Sequence, residues 1–64
     1  MSNYVNIDVD RILKVTDKAL LVRIGEEEHW LPLSQIADAD DYEEGDVDLT
    51  LSITEWIAEQ KGLT

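Results

Sequence analysis

Between Val47 and Ile53 the chain alternates without a break: Val47, Leu49, Leu51 and Ile53 are apolar, Asp48, Thr50 and Ser52 polar. Successive side chains of an extended backbone point to opposite faces, so this run is a strand with one face buried and the other in water. A chain of 64 residues has few other segments with which to cover that apolar face. The cover has to come from further strands of a curled sheet and from a helix laid against it.

The rest of the chain supplies both. Residues 4–15 alternate at first, with Val5, Ile7 and Val9 on one side and Tyr4, Asn6, Asp8 and Asp10 on the other. The parity then breaks, because Ile12 and Leu13 are adjacent and Val15 continues from Leu13. This predicts a β-bulge or bend near Asp10-Arg11, which lets one long strand serve two parts of a curled sheet. After the polar turn Thr16-Asp17-Lys18, residues 19–24 form an apolar, β-branched run with Leu20, Val22 and Ile24 facing one way, the pattern of a central strand. Gly25-Glu26-Glu27 reads as the next turn, and residues 28–31 as a third strand with Trp30 inward as the core anchor.

Pro32, the only proline, lacks a backbone donor and favours extended geometry before it, so the ladder should stop there or reach an edge. Ser34 is placed to cap a helical turn running to Ala37, with Ile36 tucked under Trp30. Residues 38–48 hold seven carboxylates and no base, which predicts an extended, solvated loop closed by Gly45. After the strand at 47–53, Thr54 is an N-cap for a two-turn helix carrying Glu55 and Glu59, and Gly62 is its left-handed C-terminal cap with Leu63 folding back. So short a helix is not stable alone and must be held to the sheet, here through Trp56 and Ile57.

The expected architecture is a single α+β domain over residues 1–64: a small, curled antiparallel sheet with a short C-terminal helix, a partly open SH3-like or OB-like barrel being one arrangement that meets it. Its expected core is Val5, Ile7, Leu20, Val22, Ile24, Trp30, Ile36, Leu49, Leu51, Ile53, Trp56 and Ile57. A domain this short buries only about 60% of the surface its unfolded chain exposes, which leaves no room for a deep active-site cleft beside the core. With no cysteine and one histidine, disulfide or metal support is not expected, leaving good packing or oligomerisation.

Fifteen acidic residues stand against five basic ones, a net charge of −10. Such a field repels nucleic acid and anionic membranes and attracts basic surfaces at long range. Charge of this size also opposes collapse, but 44% hydrophobic content with regular periodicity argues for a folded chain. No apolar run approaches the roughly 20 residues of a membrane span and no basic leader precedes an apolar stretch, so a cytoplasmic setting is expected.

No pattern for catalysis or metal binding emerges. The run from Asp38 to Gly45 superficially resembles a calcium loop, but setting Gly45 at the sixth position puts Tyr42 third and Leu51 twelfth, where carboxylates are required. His29 has no nucleophile or orienting carboxylate assigned by spacing and reads as a strand residue pointing away from Trp30. Arg23, Lys14 and Lys18 are expected to pair with acids on the outer face of the hairpin. No cofactor or enzyme activity is therefore expected. What remains is the acidic surface: Asp38, Asp40, Asp41, Glu43 and Glu44, joined by Glu26 and Glu27, are candidates for binding a basic surface on a protein partner, imitating the phosphate track of DNA. The alternative is a structural or adaptor module using a hydrophobic patch near the Pro32 edge or the C-terminal helix, with a homodimer as one form.

The segments Lys18-Ala19-Leu20-Leu21, His29 to Ile36 and Glu55 to Leu63 carry a Trp-x-Pro-x-Ser-Gln-Ile core and a closing Trp-x-Ala-Glu-x-Lys-Gly-Leu helix. In these the chain resembles short phage and prophage proteins of unassigned function. The resemblance covers most of residues 18–63 and implies a phage-type setting, with no functional residue attached to it.

Overall fold

A computed structural model describes residues 3–63. The twelve-residue β1 (Tyr4–Val15) is the shared strand of a four-stranded antiparallel sheet that also contains β2 (Ala19–Ile24), β3 (Glu27–Pro32) and β4 (Val47–Thr54), in the order β3-β2-β1-β4. The N-terminal part of β1 pairs with β4, from Tyr4 opposite Thr54 to Arg11 opposite Val47. Its C-terminal part pairs with β2, from Arg11 opposite Arg23 to Val15 opposite Leu20. The bend expected at Asp10-Arg11 is where the change of partner occurs: Ile7, Val9 and Ile12 are buried while Asp10 and Arg11 are exposed, so the inward parity changes between them. Opposite the bend Asp48 takes a left-handed backbone, φ 52°. A second irregularity follows, a register shift between Ile12 and Lys14 that leaves Leu13 as the extra residue of a bulge.

The sheet must curl. Pro32 pairs with Ala19 at one edge, yet Ile36 bridges Ile53 on the far side of β4 and the Ala37 N–H donates to the Ser52 carbonyl at 2.8 Å. Crossing a flat sheet from β3 to a position beyond β4 takes four strand spacings, about 19 Å, whereas four residues of chain reach at most about 14 Å. The two edges are therefore brought toward each other, and a 3₁₀ turn at Leu33–Gln35 spans the gap without closing it by strand pairing. Ser34 does not cap this turn as expected; it is exposed, Pro32 occupies the cap position, and the turn closes through the Ile36 N–H to the Leu33 carbonyl at 3.1 Å.

Inside the curl lie Ile7, Val9, Ile12, Leu20, Val22, Leu31, Ile36, Leu51, Ile53, Ile57 and Ala58, with Val5, Ile24 and Leu49 packed against them. Two expected members are missing. Trp30 is 44% exposed and Trp56 58% exposed, while Leu31 is fully buried. The reason is the turn between β2 and β3, which has two residues, Gly25 and Glu26, so that Ile24 pairs with Glu27. Antiparallel partners share a face, and counting by two from Glu27 makes His29 and Leu31 inward and Trp30 outward. A three-residue turn would have given the opposite assignment. Ile36, buried as expected, consequently packs beside Ile53 rather than beneath an indole.

The terminal helix α1 (Glu55–Gln60) begins and ends as the sequence indicates. The Thr54 hydroxyl accepts from the Ile57 N–H at 3.3 Å. Gly62, at φ 70°, lets its own N–H reach the Glu59 carbonyl and the Leu63 N–H the Ala58 carbonyl, the paired bonds of a Schellman cap. The buried face of this short helix is Ile57 and Ala58, and Trp56 projects from the first turn.

Candidate functional site

Residues 38–48 are a folded strap rather than the extended loop that charge repulsion alone predicts. It is docked at its start by the Ala37–Ser52 bond, turns at Asp38 with φ 54°, and passes through a 3₁₀ turn at Ala39–Asp41. Ala39 and Tyr42 pack against the core, and the Tyr42 hydroxyl donates to the Thr50 carbonyl at 3.4 Å, which holds the strap along the outer edge of β4. At its end the Asp46 carboxylate accepts from the Glu43 N–H at 2.9 Å. The Gly45 N–H donates to the Ile12 carbonyl and the Ile12 N–H to the Asp46 carbonyl, each at 2.8 Å. These nonlocal bonds outweigh the mutual repulsion of the carboxylates, because repulsion between exposed charges is screened by water whereas each backbone bond is not left unmade.

The strap divides its acids into two kinds. Asp46 is half-buried and structural, while Asp38, Asp40, Asp41, Glu43 and Glu44 are exposed and bind nothing within the described residues through their carboxylates. Glu26 lies in the β2–β3 turn and Glu27 opens β3; the turn is tied to β1 by the Gly25 N–H donating to the Asp10 carboxylate at 2.7 Å. That turn and the Glu43–Asp46 end of the strap thus flank β1 at one end of the sheet. Asp38, Asp40 and Asp41 sit further along the β4 edge, near Ser52, whose partner on β1 is Asn6. The five strap acids form one continuous run, Asp41 and Glu43 being two residues and so at most about 7 Å apart along the backbone, while Glu26 and Glu27 approach β1 from the β2 side.

The expected pairing of Arg23, Lys14 and Lys18 with acids is not found. Among the described residues the only approach within 4.0 Å of a basic side chain to an acidic one is His29 Nε2 to Glu27 Oε1, at 3.9 Å. Arg23 Nε donates instead to the Gly25 carbonyl at 3.1 Å. His29 points to the inner side, the face expected of Trp30 and the reverse of its own expected outward placement; its side chain is 13% exposed and its Nε2 is buried without a hydrogen-bond partner. No hydroxyl or amine is hydrogen-bonded to that nitrogen among the described residues, so no nucleophile and base pair is assembled there. No group of three or more His, Asp or Glu side chains among the described residues is arranged to hold a metal ion. Among the described residues no helix is long and apolar enough to cross a membrane.

Two aromatic residues expected in the core stand instead on the surface, as does Tyr4, which lies on the polar side of β1 as expected. Trp30 on the outer face of β3, Trp56 on α1 and Tyr4 on β1 are all substantially exposed. For Trp30 the signal was present in the length of the Gly25-Glu26 turn; for Trp56 it lay in Ala58, a small residue that brings the helix close to the sheet and takes the buried position beside Ile57. Comparison of the chain with protein-family models, with curated proteins and with solved structures gives no match.

Proposed function

We propose that this is a small acidic interaction protein of phage type, without enzymatic activity, whose exposed carboxylates bind a basic surface on a partner protein in the manner of a DNA mimic that occupies a nucleic-acid-binding groove. The curled sheet reads in this account as a partly open barrel of SH3-like or OB-like kind, serving as a rigid mount for the acidic strap. The observation that carries the proposal is that Asp38, Asp40, Asp41, Glu43 and Glu44 stand exposed on a strap whose shape is fixed by other residues, with no cation within 4.0 Å among the described residues. A charge array presented in a fixed shape loses less entropy on binding than a disordered acidic tail.

The test is to replace those five residues by Asn or Gln, leaving Asp46 in place. Binding to the partner captured from cells should weaken at least about tenfold, equivalent to about 1.4 kcal/mol, and duplex DNA should compete with the parent chain for that partner. Unchanged binding would move the function to the second reading, an adaptor that binds through an apolar patch. That reading is favoured by one observation, the exposure of Trp30 and Trp56, since half-covered tryptophans are frequent interface anchors.

A further inference from the structure

Four of the five basic residues, Arg11, Lys14, Lys18 and Arg23, belong to the β1–β2 hairpin, and all four are exposed. The register lines them up. Arg11 is directly opposite Arg23, and Lys14 is opposite Leu21, which is in turn opposite Trp30. Cross-strand partners share a face, so Arg11, Arg23, Lys14, Leu21 and Trp30 occupy one outer surface. Like charges set directly opposite destabilise a ladder unless an anion lies between them. Glu28 faces Arg23 from β3, yet no carboxylate comes within 4.0 Å of any of these cations among the described residues, and Arg23 Nε is turned to the Gly25 carbonyl. A strongly acidic chain thus carries a concentrated cationic patch beside an indole that is 44% exposed.

The same chain carries the complementary surface, a strap that starts at Ser52 on the β4 edge and ends beside Ile12, next to Arg11, without any of its carboxylates coming within 4.0 Å of the patch among the described residues. We propose that the β1–β3 outer face docks the acidic strap at residues 38–44 of a second copy, head to tail. The carboxylates of Asp40 and Asp41 lie between Arg11 and Arg23 of the neighbour, and the strap covers Trp30. Because the two surfaces differ, the contact is heterologous and grows into a ring or an open chain rather than closing as a two-fold dimer. The inference does not rest on the partner reading above, since it requires only that the strap meet this chain's own cations.

Net charge opposes such contact, and distance decides how much. The molecule measures 31 × 24 × 16 Å, so docked copies have centres on the order of 20 Å apart. That lies within the Debye length of about 30 Å at 0.01 M salt but beyond two Debye lengths of about 8 Å each at 0.15 M. The contacting charges, about 4 Å apart, remain inside the Debye length until it falls to about 3 Å near 1 M. Association is therefore suppressed at low salt, strongest near physiological salt and lost again at high salt. A purely apolar contact strengthens steadily with salt, and attraction between oppositely charged molecules weakens steadily.

Sedimentation velocity on the full chain at about 0.01, 0.15 and 1 M salt reads this directly. Arg11→Glu/Arg23→Glu and Asp40→Lys/Asp41→Lys should each weaken self-association at least tenfold, and mixing the two variants should restore it, because each then offers the surface the other lacks. If Arg11→Glu/Arg23→Glu loses the circular dichroism of the parent, Lys14→Glu, on the same outer face, carries the same test. In Arg11→Glu/Arg23→Glu the strap keeps its carboxylates, so binding of a basic partner should persist while self-association is lost. A chain that stays monomeric at every salt, association that rises steadily with salt, or variants that fail to complement on mixing would each overturn the proposal.

Discussion

Replacing Leu31 by Ala should cost far more stability than replacing Trp30 by Ala, although tryptophan is the larger side chain. Leu31 is fully buried between Leu20 and the rest of the core, so its truncation loses the transfer free energy of the removed carbons and leaves a cavity. Changes of this kind cost about 2–5 kcal/mol. At about 0.05–0.15 kcal/mol per residue, a 64-residue domain has roughly 3–10 kcal/mol in all, so the variant should lose a large fraction of its stability. Trp30 is only partly covered, and its removal opens to solvent with no enclosed cavity; area bookkeeping puts the loss at about 1–2 kcal/mol, an upper estimate. Urea denaturation of parent and both variants, followed by far-ultraviolet circular dichroism, gives the order. A Trp30→Ala midpoint below that of Leu31→Ala would refute the inward register of β3 and restore tryptophan as the core anchor.

Thr54→Ala should cost about 1–2 kcal/mol, because it removes the helix cap and also the 2.6 Å bond that the Thr54 hydroxyl donates to Gln35 Oε1; a denaturation midpoint equal to the parent's would count against the cap. Asp46→Ala should lower the melting temperature by releasing the Glu43 N–H, whereas neutralising Asp38, Asp40, Asp41, Glu43 and Glu44 together should leave the circular dichroism unchanged and raise the melting temperature slightly. Raising salt from low to physiological concentration should stabilise the parent by screening its net charge of −10, and calorimetry showing the reverse would contradict that.

Most local signals in the sequence carry through to the structure, the Ser34 cap excepted, whereas strand facing depends on counting across turns. The alternation in β1 and in β4 from Leu49 on, the Thr54 cap, the Gly62 terminus and the break at Pro32 depend on residues within a few positions of each other, so periodicity and backbone chemistry suffice to find them; Val47, expected inward, is exposed because Asp48 beside it takes a left-handed backbone. The side of β3 depends on whether Glu27 belongs to the turn or to the strand, and a shift of one residue exchanges Trp30 for Leu31 in the core. The fold of the strap depends on contacts distant in sequence, Tyr42 with Thr50 and Gly45 with Ile12, which charge patterning alone does not reveal. The acidic candidates themselves were legible as composition. Their division into structural Asp46 and exposed neighbours, and the cationic and aromatic face opposite them, required the register.

The claim that the strap acts through charge is tested most directly by the dissociation constant of the chain and its captured partner, measured by calorimetry across ionic strength. Charge-driven recognition predicts a loss of affinity of at least about tenfold between low salt and several times physiological salt. An affinity that stays constant or tightens over that range would contradict it and assign binding to the apolar surface around Trp30 and Trp56.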